Sequence, residues 1–282
     1  MTIAEAVRNA ARTLEASGID TSALDAEVLM RHLLSWNRTT YLLHRNEPLD
    51  PAIAQQFALL IDRRATREPV AYIVGTREFL GLDFAVGPGA LVPRPETEQL
   101  VEWAAAWLAG KEAMTAVDVG TGSGAIAIGI ARFAPAGSLT RIIAVDPSAD
   151  ALAWARKNAA RLAPDGTLID FVQGSLLDQI AGPVDLVLAN LPYLTPEQTD
   201  ENPDLAMEPR SALVSGADGL DLIRELLVDL PRVLSANGAA ILELDPSQAE
   251  TVATLACAAV PDATVKIIRD LSGRDRFVAI ER

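Results

Sequence analysis

A single cysteine, Cys257, and two histidines, His32 and His44, are all that this 282-residue chain offers in thiol and imidazole ligands. One thiol cannot close an internal disulfide, which fits a reducing compartment, and its setting in the apolar run Ala253 to Val260 reads as a small core position. The histidines lack ligand spacing, so no zinc cluster of nitrogen and sulfur donors can be assembled and no metal is expected. Long apolar runs are missing as well, which excludes a membrane-spanning helix. The start, Met1 to Arg12, scatters charges among alanines and lacks the apolar stretch of a signal peptide. Basic residues are scarce: 24 against 38 acidic ones leave a net charge of −14. A field of that sign repels a phosphate backbone and disfavours a stable nucleic-acid complex. A chain of this kind is expected in the cytoplasm, off the membrane, with a basic protein surface as the favoured partner.

What is present is apolar mass, half of the residues by composition. That suffices for one large core and a smaller one. Residues 1–69 read as a helical domain. Thr2 with Glu5 forms a capping box ahead of the stripe Ile3, Ala6, Val7, Ala10 and Leu14, and Gly18 ends that helix. A second helix runs from about Ser22 to Trp36, and a third opens at Asp50-Pro51 and stops before Pro69. Residues 70–92 change to short β-prone runs, Ala71 to Val74 and Phe79 to Val86, punctuated by Gly75 and Gly81, and read as a β-hairpin linker. From residue 93 to 282 strands and helices alternate. This predicts an α/β fold with a mostly parallel sheet covered by helices on both faces.

The first strand of that series runs into Val117-Asp118-Val119-Gly120-Thr121-Gly122-Ser123-Gly124 and opens a helix, the place where an open α/β sheet binds its ligand. Alternate glycines permit tight turns and close backbone approach. The spacing is neither that of a pyrophosphate-wrapping dinucleotide loop nor, lacking a lysine, that of a phosphate-binding P-loop. The next strand ends in Asp146, placed to accept hydrogen bonds from both hydroxyls of a ribose. Loop residues Asp118, Gly120, Thr121, Gly122, Ser123 and Gly124, together with Asp146 and Asn190, form the expected site for a nucleoside cofactor held without a phosphate clamp.

The strand Val184 to Ala189 passes directly into Asn190-Leu191-Pro192-Tyr193, which resembles the Asn-Pro-Pro-Tyr signature of methyltransferases acting on planar amino groups. Leu191 stands where the first proline is usual. The residue types suit the chemistry. An amide nitrogen donates its lone pair into its carbonyl and is a poor nucleophile until two acceptors draw its N–H groups aside. The Asn190 side-chain oxygen and the Leu191 carbonyl are candidates for those acceptors, Pro192 biases Leu191 toward extended backbone, and Tyr193 offers a face on which the amide stacks. These four residues are the expected catalytic and substrate-binding group.

Further stretches extend the resemblance: Val92-Pro93-Arg94-Pro95-Glu96-Thr97-Glu98, Glu208-Pro209, Ala212-Leu213, Gly216-Ala217-Asp218-Gly219-Leu220, and Asp270-Leu271-Ser272-Gly273-Arg274-Asp275-Arg276. In this order they resemble the HemK/PrmC release-factor glutamine methyltransferases over about two-thirds of the chain. The family's Glu-Ile-Gly-x-x-Gln element is replaced here by Glu243-Leu244-Asp245-Pro246-Ser247-Gln248, and Ser175 and Leu176 occupy a region where an acid and an aromatic are common.

The resemblance implies a class I, Rossmann-like, seven-stranded methyltransferase sheet behind a helical domain that recognises the substrate. It also implies S-adenosyl-L-methionine as methyl donor, and the Gly-Gly-Gln glutamine of class I peptide chain release factors as acceptor; a monomer is expected. Other readings are a ribosomal-protein glutamine methyltransferase, an adenine methyltransferase of nucleic acid, and a binding module that has lost turnover through Leu191. Outside the motifs, Glu96 and Glu98 suit the positive end of a helix dipole, Trp103 and Trp107 read as packing, and Arg274 and Arg276 flank the last strand.

Overall fold

The computed structural model describes residues 1–282 and divides them into two compact units, Met1–Thr76 with Asn202–Met207, and Arg77–Glu201 with Glu208–Arg282.

The first unit is helical. Thr2 and Glu5 form the reciprocal capping box that starts α1, Ile3–Ala16. Helices α2, Ser22–Leu34, α3, Arg38–His44, and α4, Pro51–Ala65, follow; α4 is capped by Asp50 with proline in its first turn. Leu14, Leu29, Met30, Phe57 and Ile61 meet in one core. Helix α3 is absent from the sequence reading because its seven residues carry too little periodicity to stand out. Its Asn37 cap, which accepts from the Thr40 amide at 2.8 Å, is the local signal. One buried ion pair locks this unit: Arg64 Nε donates to Asp25 Oδ2 at 2.7 Å, and Asp25 also accepts from the Thr21 hydroxyl.

The segment expected to open the β-hairpin with Ala71 to Val74 is instead the short helix α5, Val70–Val74, which corrects the assignment at the start of 70–92. Pro69 pre-sets its entry, and Gly75 at φ +81° ends it with an N–H to the Ala71 carbonyl. A β-branched run this short is decided by its end residues rather than by propensity. The hairpin lies further on, in β1, Thr76–Phe79, and β2, Leu82–Ala85, turning at Leu80-Gly81 within the run read as one strand.

The second unit is a seven-stranded sheet. In chain order it contains α6, Glu98–Trp107; β3, Met114–Val119; α7, Ala125–Phe133; β4, Leu139–Asp146; α8, Ala149–Leu162; β5, Ile169–Gln173; and β6, Val184–Ala189. It continues with α9, Pro196–Glu201; α10, Asp221–Val233; β7, Leu234–Glu243; α11, Ala249–Ala259; β8, Thr264–Arg269; and β9, Asp275–Glu281. The spatial order is β5-β4-β3-β6-β7-β9-β8, with only β9 running antiparallel to its neighbours. From β3 the chain moves outward to β4, and from β6 it moves the other way to β7, so the direction of winding reverses between β3 and β6.

Helix α11 packs Val252 and Ala256 inward. Cys257, read from the sequence as a core residue, is exposed. One residue further along a helix turns the side chain by about 100° from the buried stripe, and an apolar run hides that rotation. None of the helices is long and apolar enough to cross a membrane.

Candidate active site

Register sets the site. Val119 pairs with Ala189, and Ala189 with Leu242, so the residues that follow, Gly120, Asn190 and Glu243, leave three adjacent strands side by side at their carboxyl ends. A cleft opens above β3 and β6. It is lined by Gly120, Gly122 and Asp146 on one flank, by Asn190, Leu191 and Pro192 on the other, and by Gly89 to Leu91, Ser175, Leu176 and Leu222 around the rim. Residues as far apart in the chain as Gly89 and Leu222 thus share one depression, and no lysine or arginine lines it.

The loop half is held by backbone. The Gly120 and Thr121 amides both donate to the Val145 carbonyl at 2.9 Å. Asp146 accepts from the Gly122 amide at 2.9 Å through one oxygen and from the Ser148 amide at 2.8 Å through the other. Each oxygen keeps a further lone pair, and the carboxylate belongs to the cleft wall. Burial outweighs the two amide donors and raises its pKa. Gly120 sits at φ +73°, and a Cβ there would meet the Leu191 side chain at 3.2 Å. A side chain at this position would crowd Leu191 and would be strained at this positive φ, so glycine is favoured here.

Of the loop residues, Gly120 and Gly122 line the cleft, whereas Asp118, Thr121, Ser123 and Gly124 do not. Asp118 is fully buried and faces away: its Oδ2 accepts from the Thr121 hydroxyl at 2.6 Å and from the Ala127 amide at 3.0 Å. It therefore ties the loop to the first turn of α7. Desolvation pushes its pKa up to about 7, against the pull of those two donors. Gly124, at φ +82°, lets α7 pass Ala155 of α8, and the Ser123 carbonyl accepts from buried Asn158, which also holds Ala85 of β2.

The Asn190 half is held by side chains from distant elements. Asn190 Nδ2 donates to Thr97 Oγ1 at 2.9 Å, which directs the amide oxygen the other way. The Leu191 carbonyl accepts no hydrogen bond from the chain. Gln248 Nε2 donates to the carbonyls of Tyr193, at 2.9 Å, and Asp218, at 3.0 Å, clamping the exit of the tetrapeptide. Gly219 makes that clamp possible, because a Cβ there would lie 2.1 Å from the Tyr193 carbonyl. Tyr193 itself stands off the cleft wall, largely buried, with its phenol pushed up to about 12 by desolvation and by the nearby Glu243 charge.

Several residues passed over in the sequence carry this half. Thr97 and Glu243 are buried, and Thr97 hydrogen-bonds to the Glu243 carboxylate. Arg276, read as a strand flank, is buried beside Glu243 and donates to the Leu244 carbonyl. Glu208 accepts from the Val92 amide and pairs with Arg94. Glu98, read as a dipole partner, accepts from the Leu80 amide and fastens the hairpin turn. The replaced element after β7 keeps its outer residues in use: Glu243 reaches Thr97, Gln248 clamps Tyr193, and Asp245 caps the turn between them.

Comparison with known proteins agrees with this geometry. A family described as PrmC N-terminal domain matches residues 5–75, and one described as methyltransferase small domain matches residues 101–216. A release factor glutamine methyltransferase of Deinococcus radiodurans is 38% identical over 283 residues, covering 100% of this chain and 99% of the relative. The chain belongs to the release factor glutamine methyltransferase family. A second member, from Corynebacterium glutamicum, is 35% identical over 285 residues, covering 100% of this chain and 99% of its own length. Among solved structures, a methyltransferase of Pyrococcus furiosus is similar at a TM-score of 0.52 and 18% identity, covering 80% of this chain and 96% of that one; at that identity the likeness concerns the fold.

The methyl donor of such a family is S-adenosylmethionine, and the cleft fits it. A glycine backbone that no side chain obstructs, a two-oxygen acceptor on the cleft wall, a largely apolar rim and no cationic clamp suit a nucleoside without phosphates.

Proposed function

We propose that this chain transfers a methyl group from S-adenosylmethionine to the side-chain amide nitrogen of a glutamine, the one in the Gly-Gly-Gln motif of class I peptide chain release factors. The observation that carries the reading is the strand register that sets Gly120 and Asn190 side by side at one cleft.

Bound there, S-adenosylmethionine supplies an electrophilic methyl group on a sulfonium. Asp146 would hold the ribose hydroxyls, and the Gly120 to Gly122 backbone would face the ligand. Asn190 Oδ1 accepts one N–H of the glutamine amide and the Leu191 carbonyl accepts the other. With both N–H bonds held, the nitrogen is turned so that its lone pair faces the methyl group. The new N–C bond forms as the S–C bond breaks, and the nitrogen then releases one proton to solvent, so no general base acts beforehand. Leucine at position 191 serves as well as proline for this purpose, because the acceptor is main chain and Pro192 still restricts its backbone. Tyr193 stacks against the amide from the edge of the site.

Residues 93–282 carry the transfer, and the helices of 1–69 recognise the protein substrate. The enzyme works as a monomer in the cytoplasm, and its net charge of −14 favours a protein acceptor over nucleic acid. Mass spectrometry of the Gly-Gly-Gln peptide, after a purified class I release factor is incubated with the chain and S-adenosylmethionine, tests this. One added methyl on that glutamine is expected. Methylation of a ribosomal-protein or DNA control in its place would reassign the substrate.

A further inference from the structure

The reading of Asn190 as an acceptor of substrate N–H leaves one question of polarity. An asparagine amide has an oxygen on one side and an NH₂ on the other, nearly equal in shape. Turned over, Asn190 would present two N–H donors to the two N–H donors of the glutamine, and the site would repel its substrate. Something must select the face.

Thr97 and Glu243 are placed to do so. Thr97 ends the short turn Pro95–Thr97 before α6 and is only 4% exposed. Its oxygen accepts from Asn190 Nδ2 at 2.9 Å, and its hydroxyl hydrogen-bonds to Glu243, the last residue of β7, 1% exposed. A carboxylate only accepts, so it takes the one proton of the Thr97 hydroxyl. The hydroxyl is then left with lone pairs toward Asn190, and only the NH₂ of the amide can satisfy them. Buried surroundings make the wrong orientation, oxygen against oxygen, unfavourable.

We propose that Thr97 and Glu243 are positioning residues that act through Asn190, fixing its amide so that the oxygen faces the acceptor glutamine. Glu243 is suited to nothing else the chain displays. Its second oxygen, Oε2, has no hydrogen-bond partner, and Arg276, buried close by, supplies charge while its own Nε also lacks one. A carboxyl buried in such a place, at the strand end that neighbours Asn190, with a single directed donor, is an orienting device. The inference rests on the methyl-transfer reading above.

The test uses the full chain with S-adenosylmethionine and release factor at alkaline pH, where Glu243 is ionised. Thr97→Val keeps the shape and removes the hydroxyl. It is expected to lower kcat about tenfold, the effect of losing one oriented hydrogen bond, with unchanged S-adenosylmethionine affinity and melting temperature. Thr97→Ser, which keeps the hydroxyl, should restore the rate. In an Asn190→Ala background Thr97→Val should have no further effect, because there is no amide left to orient. Glu243→Gln, able to meet the hydroxyl with either a donor or an acceptor, should give a smaller loss of kcat. Wild-type kcat in Thr97→Val beside a crippled Asn190→Ala would overturn the positioning role alone. A Thr97→Val loss that persists in full on top of Asn190→Ala, or one accompanied by lost folding that Thr97→Ser shares, would also overturn it. Full activity in Asn190→Ala would instead overturn the reading of Asn190 on which the inference stands.

Discussion

The two flanks of the cleft are built by opposite means. On the loop flank, polar groups are met mostly by main-chain amides from the same stretch of chain, Gly122 and Ser148 on Asp146 and Ala127 on Asp118, with the Thr121 hydroxyl as a local side-chain donor to Asp118. On the Asn190 flank, they are met by side chains brought from the turn before α6, from β7 and from the turn before α11: Thr97, Glu243 and Gln248. Backbone donors cannot be mutated away and hold a shape that any member of a broad ligand class can use. Side-chain partners select one orientation of one amide. The difference corresponds to the tasks proposed for the flanks, binding a common methyl donor on one side and discriminating an acceptor on the other.

That contrast can be broken at defined points. The largest effect is expected from Asn190→Ala: turnover falls on the order of a hundredfold or more while S-adenosylmethionine affinity stays near that of the parent, since the lost contact is realised in the transition state. Steady-state kinetics beside calorimetry separate the two. Asp146→Ala should do the reverse, weakening S-adenosylmethionine binding by about tenfold to a hundredfold through loss of a two-hydroxyl acceptor; unchanged affinity in calorimetry would remove the ribose assignment.

Gly219→Ala sharpens the distinction without touching either motif. Its Cβ would collide with the Tyr193 carbonyl and the Gln248 amide, and its φ of +75° disfavours any side chain. A loss of about 1–3 kcal/mol in stability is expected, with kcat falling and methyl-donor affinity largely kept, because the strain is on the Asn190 flank. Thermal unfolding and binding measured together would show it.

The smallest effect concerns what the flanks share, a buried carboxyl on each. Asp118 and Glu243 are both pushed up to about 7 by desolvation, from ordinary values of 3.8 and 4.5. Between those limits the folded chain holds protons that the unfolded chain has released, so these groups make stability fall as pH rises from the ordinary carboxyl range through about 7. Asp118→Asn removes one of them, and urea unfolding at a series of pH values should give a shallower decline over that window. An unchanged slope would mean that Asp118 is ionised throughout.

The loop flank was legible in the letters because its parts are contiguous. A strand, alternate glycines, a helix and an acid at the next strand's end need only local geometry to be recognised, and strand β6, Val184–Ala189, was read with the same limits that it has in the structure. Short elements were less legible: α5 was taken for a strand, and α3 was passed over, because a few residues hold too little periodicity against the influence of their end caps. Asp118 shows a subtler limit. Its place in the motif suggested the cofactor, yet its side chain is buried beneath the loop, and the direction in which a strand-end residue points depends on the pleat and on what packs below.

By itself the sequence determined the class of the fold, the glycine-rich turn, the acid at the end of β4 and the tetrapeptide Asn190 to Tyr193 after β6, since each is a property of neighbours along the chain. Tertiary structure alone decided that Glu243 stands beside Asn190 with Thr97 between them, that Gln248 clamps Tyr193 and that Cys257 faces solvent. Those facts depend on strand order, register and helix rotation, which fix distances between residues tens to more than a hundred positions apart and leave no local pattern in the letters.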